Sequence, residues 1–374
     1  MKNLLFVIIL FLVGCKSSQL AHLGKATSVE GRIVQTSLLN CYPEGMKIDS
    51  VNYLYAETSA ALRMGDEILI AIDKPTPNMV SPVFTIPLGF TKKSTTINAV
   101  EHYVMNPPFP QVLKIEAFTK SPNDSIYFAT TGFDRIRGSA ADWDGYNSLL
   151  AWRKKDFSDV QYVAGTERNG VTSSRDLRIS IQKALPTTQF PQGAPYFKIE
   201  ALVALPGNRL IFGVREAGES YQKFDYTFTL LETTYTDASN GIQISPAFKK
   251  IYEYKPVVNG NMTAISDLVY HAPSNSLIAS TSREEGTDEK TKTLASYLWI
   301  LSMDRLERGE APLLVKNGDQ PLEIPYKGEG LCFLNESTIF IVCDEDRKDS
   351  NIQFNNKTIS KKPNQAIFSI VRLR

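Results

Sequence analysis

The sequence predicts an all-β fold, a β-propeller of five blades with four antiparallel strands each, on three observations. One strand-turn-strand grammar recurs five times, turn-forming residues cluster between apolar runs, and helix-period patterns are scarce. The units are SVNYLYAETSAALRMGDEILIAIDKPT from Ser50, LKIEAFTKSPNDSIYFATTGFDR from Leu113, FKIEALVALPGNRLIFGVREAG from Phe197, AISDLVYHAPSNSLIASTSREEG from Ala264 and GEGLCFLNESTIFIVCDEDRKD from Gly328. Their second strands, such as DEILIAID and NRLIFGV, carry the β-branched and aromatic residues that suit a pleated, half-buried surface. Taking Asn52, Glu116, Glu200, Ser266 and Glu329 as equivalent gives intervals of 64, 84, 66 and 63 residues, room for four strands with long connections.

The segments between units supply the outer strands: VFTIPLG and INAVEHYVM, NSLLAWRK and VQYVAG, YTFTLLETTY and FKKIYEYK, SYLWILSM and APLLVKN, with AIFSIVRLR closing the fifth unit. The long interval is accounted for by an insertion near Ser173 to Leu185. A polar start, apolar Leu177, Ile181 and Leu185, and a stop at Pro186 predict a short helix there. An irregular β-sandwich with look-alike hairpins is the competing arrangement.

Ahead of the units stand Lys2, an apolar run from Leu4 to Val13, then Gly14 and Cys15. This is a secretory n-region and h-region, too short to span a bilayer. Leu12-Val13-Gly14-Cys15 resembles the lipobox of bacterial lipoproteins. That resemblance implies loss of residues 1–14, lipidation of Cys15 and attachment to the cell envelope membrane, with residues 15–30 as tether and 31–374 as one propeller domain. An ordinary cleaved signal with an incidental cysteine is the alternative. Lys16-Ser17-Ser18-Gln19 lacks the acidic run of surface-export signals, which favours a periplasm-facing anchor.

With 41 Lys+Arg against 40 Asp+Glu, charge gives no support to a nucleic-acid polymer as partner and leaves a small anionic ligand or a protein. Besides Cys15, the cysteines are Cys41, Cys332 and Cys343, an odd set that excludes a disulfide framework. A hairpin around Asn335-Glu336-Ser337 places Cys332 opposite Phe340 rather than Cys343, so both are expected as buried thiols.

In a propeller the innermost strands line the axis, so Glu116, Glu200, Glu329, Ser266 and Asn52 are expected to form a ring. Three carboxylates at close range cannot all stay ionised without compensation. An all-oxygen shell suits Ca²⁺. Lys114, Lys198 and Lys327 each stand two residues before a ring glutamate, on the same face of a strand, so ion pairing is the other way to settle the charge. The charged clusters that end the second strands should gather round one mouth of the channel. They offer Asp73, Arg215, Arg283, Glu284, Asp344 and Arg347 as contacts for a polar or anionic ligand, although each cluster alone also reads as a solvated turn. The three histidines lie in unrelated contexts, and neither a nucleophile elbow nor a phosphate-cradling loop is found.

Lys114-Ile115-Glu116-Ala117 with Ser125-Ile126-Tyr127 and Gly132, then Ile199-Glu200-Ala201 with Arg215-Glu216 and Ser220-Tyr221, then Ser266, Arg283-Glu284-Glu285, Ala295-Ser296-Tyr297 and Gly328-Glu329-Gly330 resemble, in order, segments of the calcium-activated nucleotidases, the apyrases. The resemblance covers roughly residues 110 to 330. It implies a five-bladed propeller with axial calcium, Glu116, Glu200, Ser266 and Glu329 as its ligands, and hydrolysis of nucleoside di- and triphosphates. The family's N-terminal catalytic aspartates have no counterpart here, only one arginine stands where the family has a pair, and the chain runs on past Glu329 for a further hairpin and strand. Two functions follow: a binding or scaffold module in which calcium ties the blades together, or a calcium-dependent phosphohydrolase with Arg215 and Arg283 countering phosphate charge.

Overall fold

The computed structural model describes residues 26–77, 80–89, 96–99, 102–134, 141–286, 293–345, 351–354 and 356–374. Its main strands in chain order are β1 Val29–Asn40, β2 Thr58–Met64, β3 Glu67–Ile72, β4 Val83–Pro87, β5 Ile115–Lys120, β6 Tyr127–Thr131, β7 Leu149–Trp152, β8 Gln161–Tyr162, β9 Tyr196–Leu205, β10 Arg209–Ser220, β11 Lys223–Ala238, β12 Lys249–Tyr254, β13 Ala264–His271, β14 Ser276–Glu285, β15 Thr293–Ser302, β16 Leu313–Asn317, β17 Lys327–Asn335, β18 Thr338–Asp344 and β19 Gln365–Leu373. Each expected hairpin forms, and each extends outward as an antiparallel sheet: β2-β3-β4, β5-β6-β7-β8, β9-β10-β11-β12, β13-β14-β15-β16 and β17-β18-β19-β1.

The innermost strands follow one another round a closed ring: β2 packs on β5, β5 on β9, β9 on β13, β13 on β17, and β17 back on β2. That is a β-propeller, not a sandwich, because a sandwich would face two sheets across one core. The apolar side chains divide accordingly into five buried clusters, one between each pair of neighbouring sheets. Between the last sheet and the first, for example, Phe340 and Phe368 meet Ile68, Ile70 and Phe84. Near the axis the sheets come so close that a Cβ on Gly330 of β17 would stand 2.5 Å from the backbone of Ala60 and Ala61 in β2.

Closure differs from the sequence expectation. AIFSIVRLR is the third strand of the last sheet, and the outermost strand is β1, from the opposite end of the chain, paired from Gly31↔Leu373 to Asn40↔Gln365. Joining both ends of the chain in one sheet leaves fewer free edges. β1 begins at Val29, within the segment expected as tether, and Val29 is buried. β1 also lies parallel to β16 through Val29↔Val315. In the first sheet, the described residues of INAVEHYVM give Thr96–Asn98 alongside β1 and a bridge from Tyr103 to Phe84. The predicted insertion helix forms as α1, Leu177–Lys183, burying Leu177 and Ile181. Cys332 faces Phe340, and Cys41, Cys332 and Cys343 are free, buried thiols.

Candidate functional site

All five innermost strands carry the same defect near their first residues. The pairing with the second strand slips between Thr58 and Ala60, Ile115 and Ala117, Ile199 and Ala201, Ile265 and Asp267, and Gly328 and Gly330. At each slip two residues oppose one, a β-bulge, which bends the strand and re-aims the extra side chain. The five extra residues are Ser59, Glu116, Glu200, Ser266 and Glu329.

Carboxylate oxygens of Glu116, Glu200 and Glu329, from three different sheets, lie within 4.8 Å of one another. These residues are only 1–2% exposed, and Ser59 and Ser266 are as deeply buried. Four of the five residues read as equivalent from the sequence are therefore bulge residues. Asn52 is not. It lies in an exposed turn before β2, its amide and backbone N–H both donating to Asp49, so the first position of the ring is Ser59. The signal for Ser59 was spacing: it precedes the Asp73 cluster by 14 residues, close to the 15 to 18 residues that separate each other bulge residue from its cluster, whereas Asn52 precedes it by 21.

The three lysines do reach the ring. Lys114 Nζ is 3.5 Å from Glu116 Oε1 and 3.2 Å from Asp134; Lys198 Nζ is 3.3 Å from Glu116 Oε1 and also contacts Glu200 Oε1. Lys327 Nζ is 2.9 Å from Glu329 Oε1, 3.0 Å from Glu284 and 3.4 Å from Asp344. Each of these lysines is shared among two or three carboxylates, so no ring glutamate has a countercharge of its own.

Protonation follows from this sharing. Burial, reinforced by the Glu200 carboxylate and opposed by Lys198, pushes Glu116 up to about 8. Burial likewise pushes Glu329 up to about 7, against the pull of Lys327. For Glu200 burial is outweighed by Lys198, then Arg215 and Lys327, and its carboxyl falls below the usual range. The ring therefore holds Glu200 ionised and favours proton uptake by Glu116 and then Glu329 as the pH falls through neutrality. Asp267, beside Ser266, is raised well above its ordinary value by burial, although its Oδ2 accepts a 2.6 Å hydrogen bond from Leu331 N–H of the next inner strand.

The charged clusters gather at the ring end of the channel, but they are largely spent on one another. Asp73 is half-buried and close enough to raise both Lys114 and Glu116. Glu284 and Asp344 hold Lys327. Arg283 pairs with Glu285 at 2.5 Å. Arg215, expected at an open mouth, is buried instead: its Nη1 sits 2.9–3.3 Å from Ser266 Oγ, Ser282 Oγ, Ile265 O and Ala264 O, and its guanidinium lies 5.2 Å from the ring centre of Tyr226. Its Nη1 is thus engaged with the fourth sheet rather than turned to solvent. Arg347 and Cys15 lie outside the described residues.

The donor set at the axis, three carboxylates flanked by two hydroxyls, is all hard oxygen and fits Ca²⁺ better than a thiophilic metal. Ring and fold together define a β-propeller with an acidic axial site.

No protein-family profile and no curated protein sequence matches the chain. Among solved structures it is similar to the PQQ-bound aldose sugar dehydrogenase of Streptomyces coelicolor, at 10% identity and TM-score 0.39 over 93% of this chain and 99% of that one. It is also similar to a GH43 endo-arabinanase of Bacillus licheniformis, at 10% identity and TM-score 0.37 over 86% and 95%. Likenesses this remote carry no argument about chemistry, and the resemblance to calcium-activated nucleotidases has no family match behind it.

Proposed function

We propose that this protein is a lipid-anchored β-propeller of the bacterial cell envelope, periplasm-facing and attached through Cys15. On this reading it serves as a binding or scaffold module tied at its axis by Ca²⁺. The observation that carries the calcium site is the convergence of the Glu116, Glu200 and Glu329 carboxylates, from three sheets, at equivalent bulges. Glu116, Glu200 and Glu329 would bind the ion. Lys114 and Lys327 would fall back on Asp134, Glu284 and Asp344, which they already touch. The ion would then displace the protons and lysines that otherwise neutralise the ring.

The test is thermal unfolding of the purified protein in calcium and in chelator. A ligand that binds only the folded state at a hundred times its Kd adds about 2.7 kcal/mol. Calcium should raise the melting temperature of the native protein and leave that of the Glu116→Gln, Glu200→Gln, Glu329→Gln triple variant unmoved. An equal calcium response in both proteins refutes the axial site. The alternative, a calcium-dependent apyrase-like phosphohydrolase, is decided in the same samples by phosphate release from nucleoside di- and triphosphates. Calcium-dependent turnover would replace the scaffold reading; its absence, with calcium still stabilising, supports it.

A further inference from the structure

A cavity lies at the mouth opposite the glutamate ring. A funnel of about 540 Å³ opens between the far ends of all five innermost strands. Its interior is apolar: Leu62 from β2, Phe118 from β5, Val203 from β9, Leu268 from β13, and Leu331 and Phe333 from β17. Two polar side chains at its wall stand out. His271 is buried, its ring tilted against that of Phe333 with centres 4.7 Å apart, and it bonds Ser274 Oγ through Nδ1, while the Glu336 main chain and carboxylate both lie close enough to act on the imidazole. Arg63 has no carboxylate within ion-pair distance among the described residues, and spends Nε and Nη1 on the carbonyls of Gly65 and Leu334. Both flank the same stretch of β17, Phe333-Leu334. Elsewhere on the wall Lys120 is paired with Asp124, and Glu336 at the lip is exposed.

We propose that this funnel binds a monocarboxylic acid with an apolar tail, of the medium- to long-chain fatty-acid class. The tail is buried against Leu62, Phe118, Leu268 and Leu331, and the carboxylate lies at the wall between Arg63 and His271. An apolar cavity with a few convergent polar groups is the usual form of a small-molecule site. Asp124 on the wall is taken by Lys120 and Glu336 stands exposed at the lip, so a guanidinium with no carboxylate in ion-pair distance among the described residues favours an anion over a neutral head group. The cavity argument stands apart from the calcium site.

The experiment is isothermal titration of the purified protein with decanoate and with decanol, below their aggregation concentrations. Decanoate should bind one to one, at least about tenfold tighter than decanol, as loss of one charge-assisted contact implies. In Arg63→Gln that preference should disappear while decanol binding stays unchanged. The glutamate triple variant should bind decanoate like the native protein, which separates failure of this site from failure of the axial one. No decanoate binding by native protein, or equal binding of decanoate and decanol, overturns the proposal.

Discussion

Replacing Arg215 by alanine tests whether this residue holds the fold or meets a ligand. Arg215 comes from β10 in the third sheet, yet all four oxygens round its Nη1 belong to the fourth: Ala264 O, Ile265 O and Ser266 Oγ on β13 and Ser282 Oγ on β14. Its charge also offsets Glu200 and Glu329, which together raise its own pKa despite burial. The variant removes the donor that bridges the two carbonyls and two hydroxyls, a charged hydrogen-bond donor being worth about 1.5–3 kcal/mol, and takes a countercharge from a buried ionic cluster. Breaking such a cluster from one side costs about 3–5 kcal/mol, a large share of the stability of a typical domain. Urea unfolding at pH 7 in chelator should show a loss of that size. Arg215→Lys keeps the charge and should recover part of it. The exposed pair Arg308 and Glu310 provides the control, and Arg308→Ala should leave the midpoint in place. A loss below about 1 kcal/mol for Arg215→Ala would refute the clamp and return Arg215 to the list of ligand contacts.

Glu116 makes stability pH-dependent in the absence of calcium. Its folded pKa, about 8, lies above the ordinary 4.5, so the folded state keeps a proton that the unfolded chain releases. The resulting stabilisation is complete below the ordinary value and is lost as pH rises through the folded one. Denaturant midpoints in chelator should therefore fall across this window, by an amount on the order of a few kcal/mol, and Glu116→Gln should flatten the slope. Gly330→Ala drives a Cβ into the backbone of Ala60 and Ala61 and should cost about 1–3 kcal/mol by urea unfolding; no loss would mean that β17 and β2 separate more freely than their spacing implies. Cys41, Cys332 and Cys343 are buried thiols whose ionisation burial suppresses, Cys41 being pushed up to about 12. All three should resist a thiol reagent at pH 8 until denaturant is added, as read by mass spectrometry of their peptides.

The repeating hairpins were legible because second strands such as NRLIFGV combine β-branched residues with turn residues on both flanks, a local signal. Four ring residues were legible because each opens a hairpin at a similar distance from a charged cluster. Ser59 was missed because the neighbouring Asn52-Tyr53-Leu54-Tyr55 offers a more conspicuous strand-like run, although the chain spends it on a turn anchored by Asp49. Closure was hidden for a different reason. The partner of β19 is β1, more than three hundred residues away, and no local pattern in VEGRIVQTSLLN says which edge it will cover. The role of Arg215 was equally invisible, since two of its acceptors are main-chain carbonyls and the other two are serine hydroxyls on another sheet, none of which has a local sequence signature.

Every seam of the ring has its own polar stitch at the bulge level. Ser59 Oγ donates to Ile115 O at 2.5 Å, joining the first sheet to the second, and Ile199 N–H donates to Gly132 O at 2.7 Å, joining the second to the third. Arg215 joins the third to the fourth, Asp267 takes Leu331 N–H from the fifth, and Thr58 Oγ1 donates to Cys343 O to complete the circuit. A bulge leaves one residue outside the regular ladder, and at the axis the next strand is the nearest partner for the group it frees. The device that aims five side chains at the centre thus also locks neighbouring sheets together. This coupling explains how an acidic ring can be kept at the axis. Three glutamates on separate sheets repel, and the circuit holds them in place until protons, lysines or a cation offset the charge. A cation bound there would act on all five sheets through strands already joined edge to edge, so calcium should raise the cooperativity of unfolding as well as its midpoint.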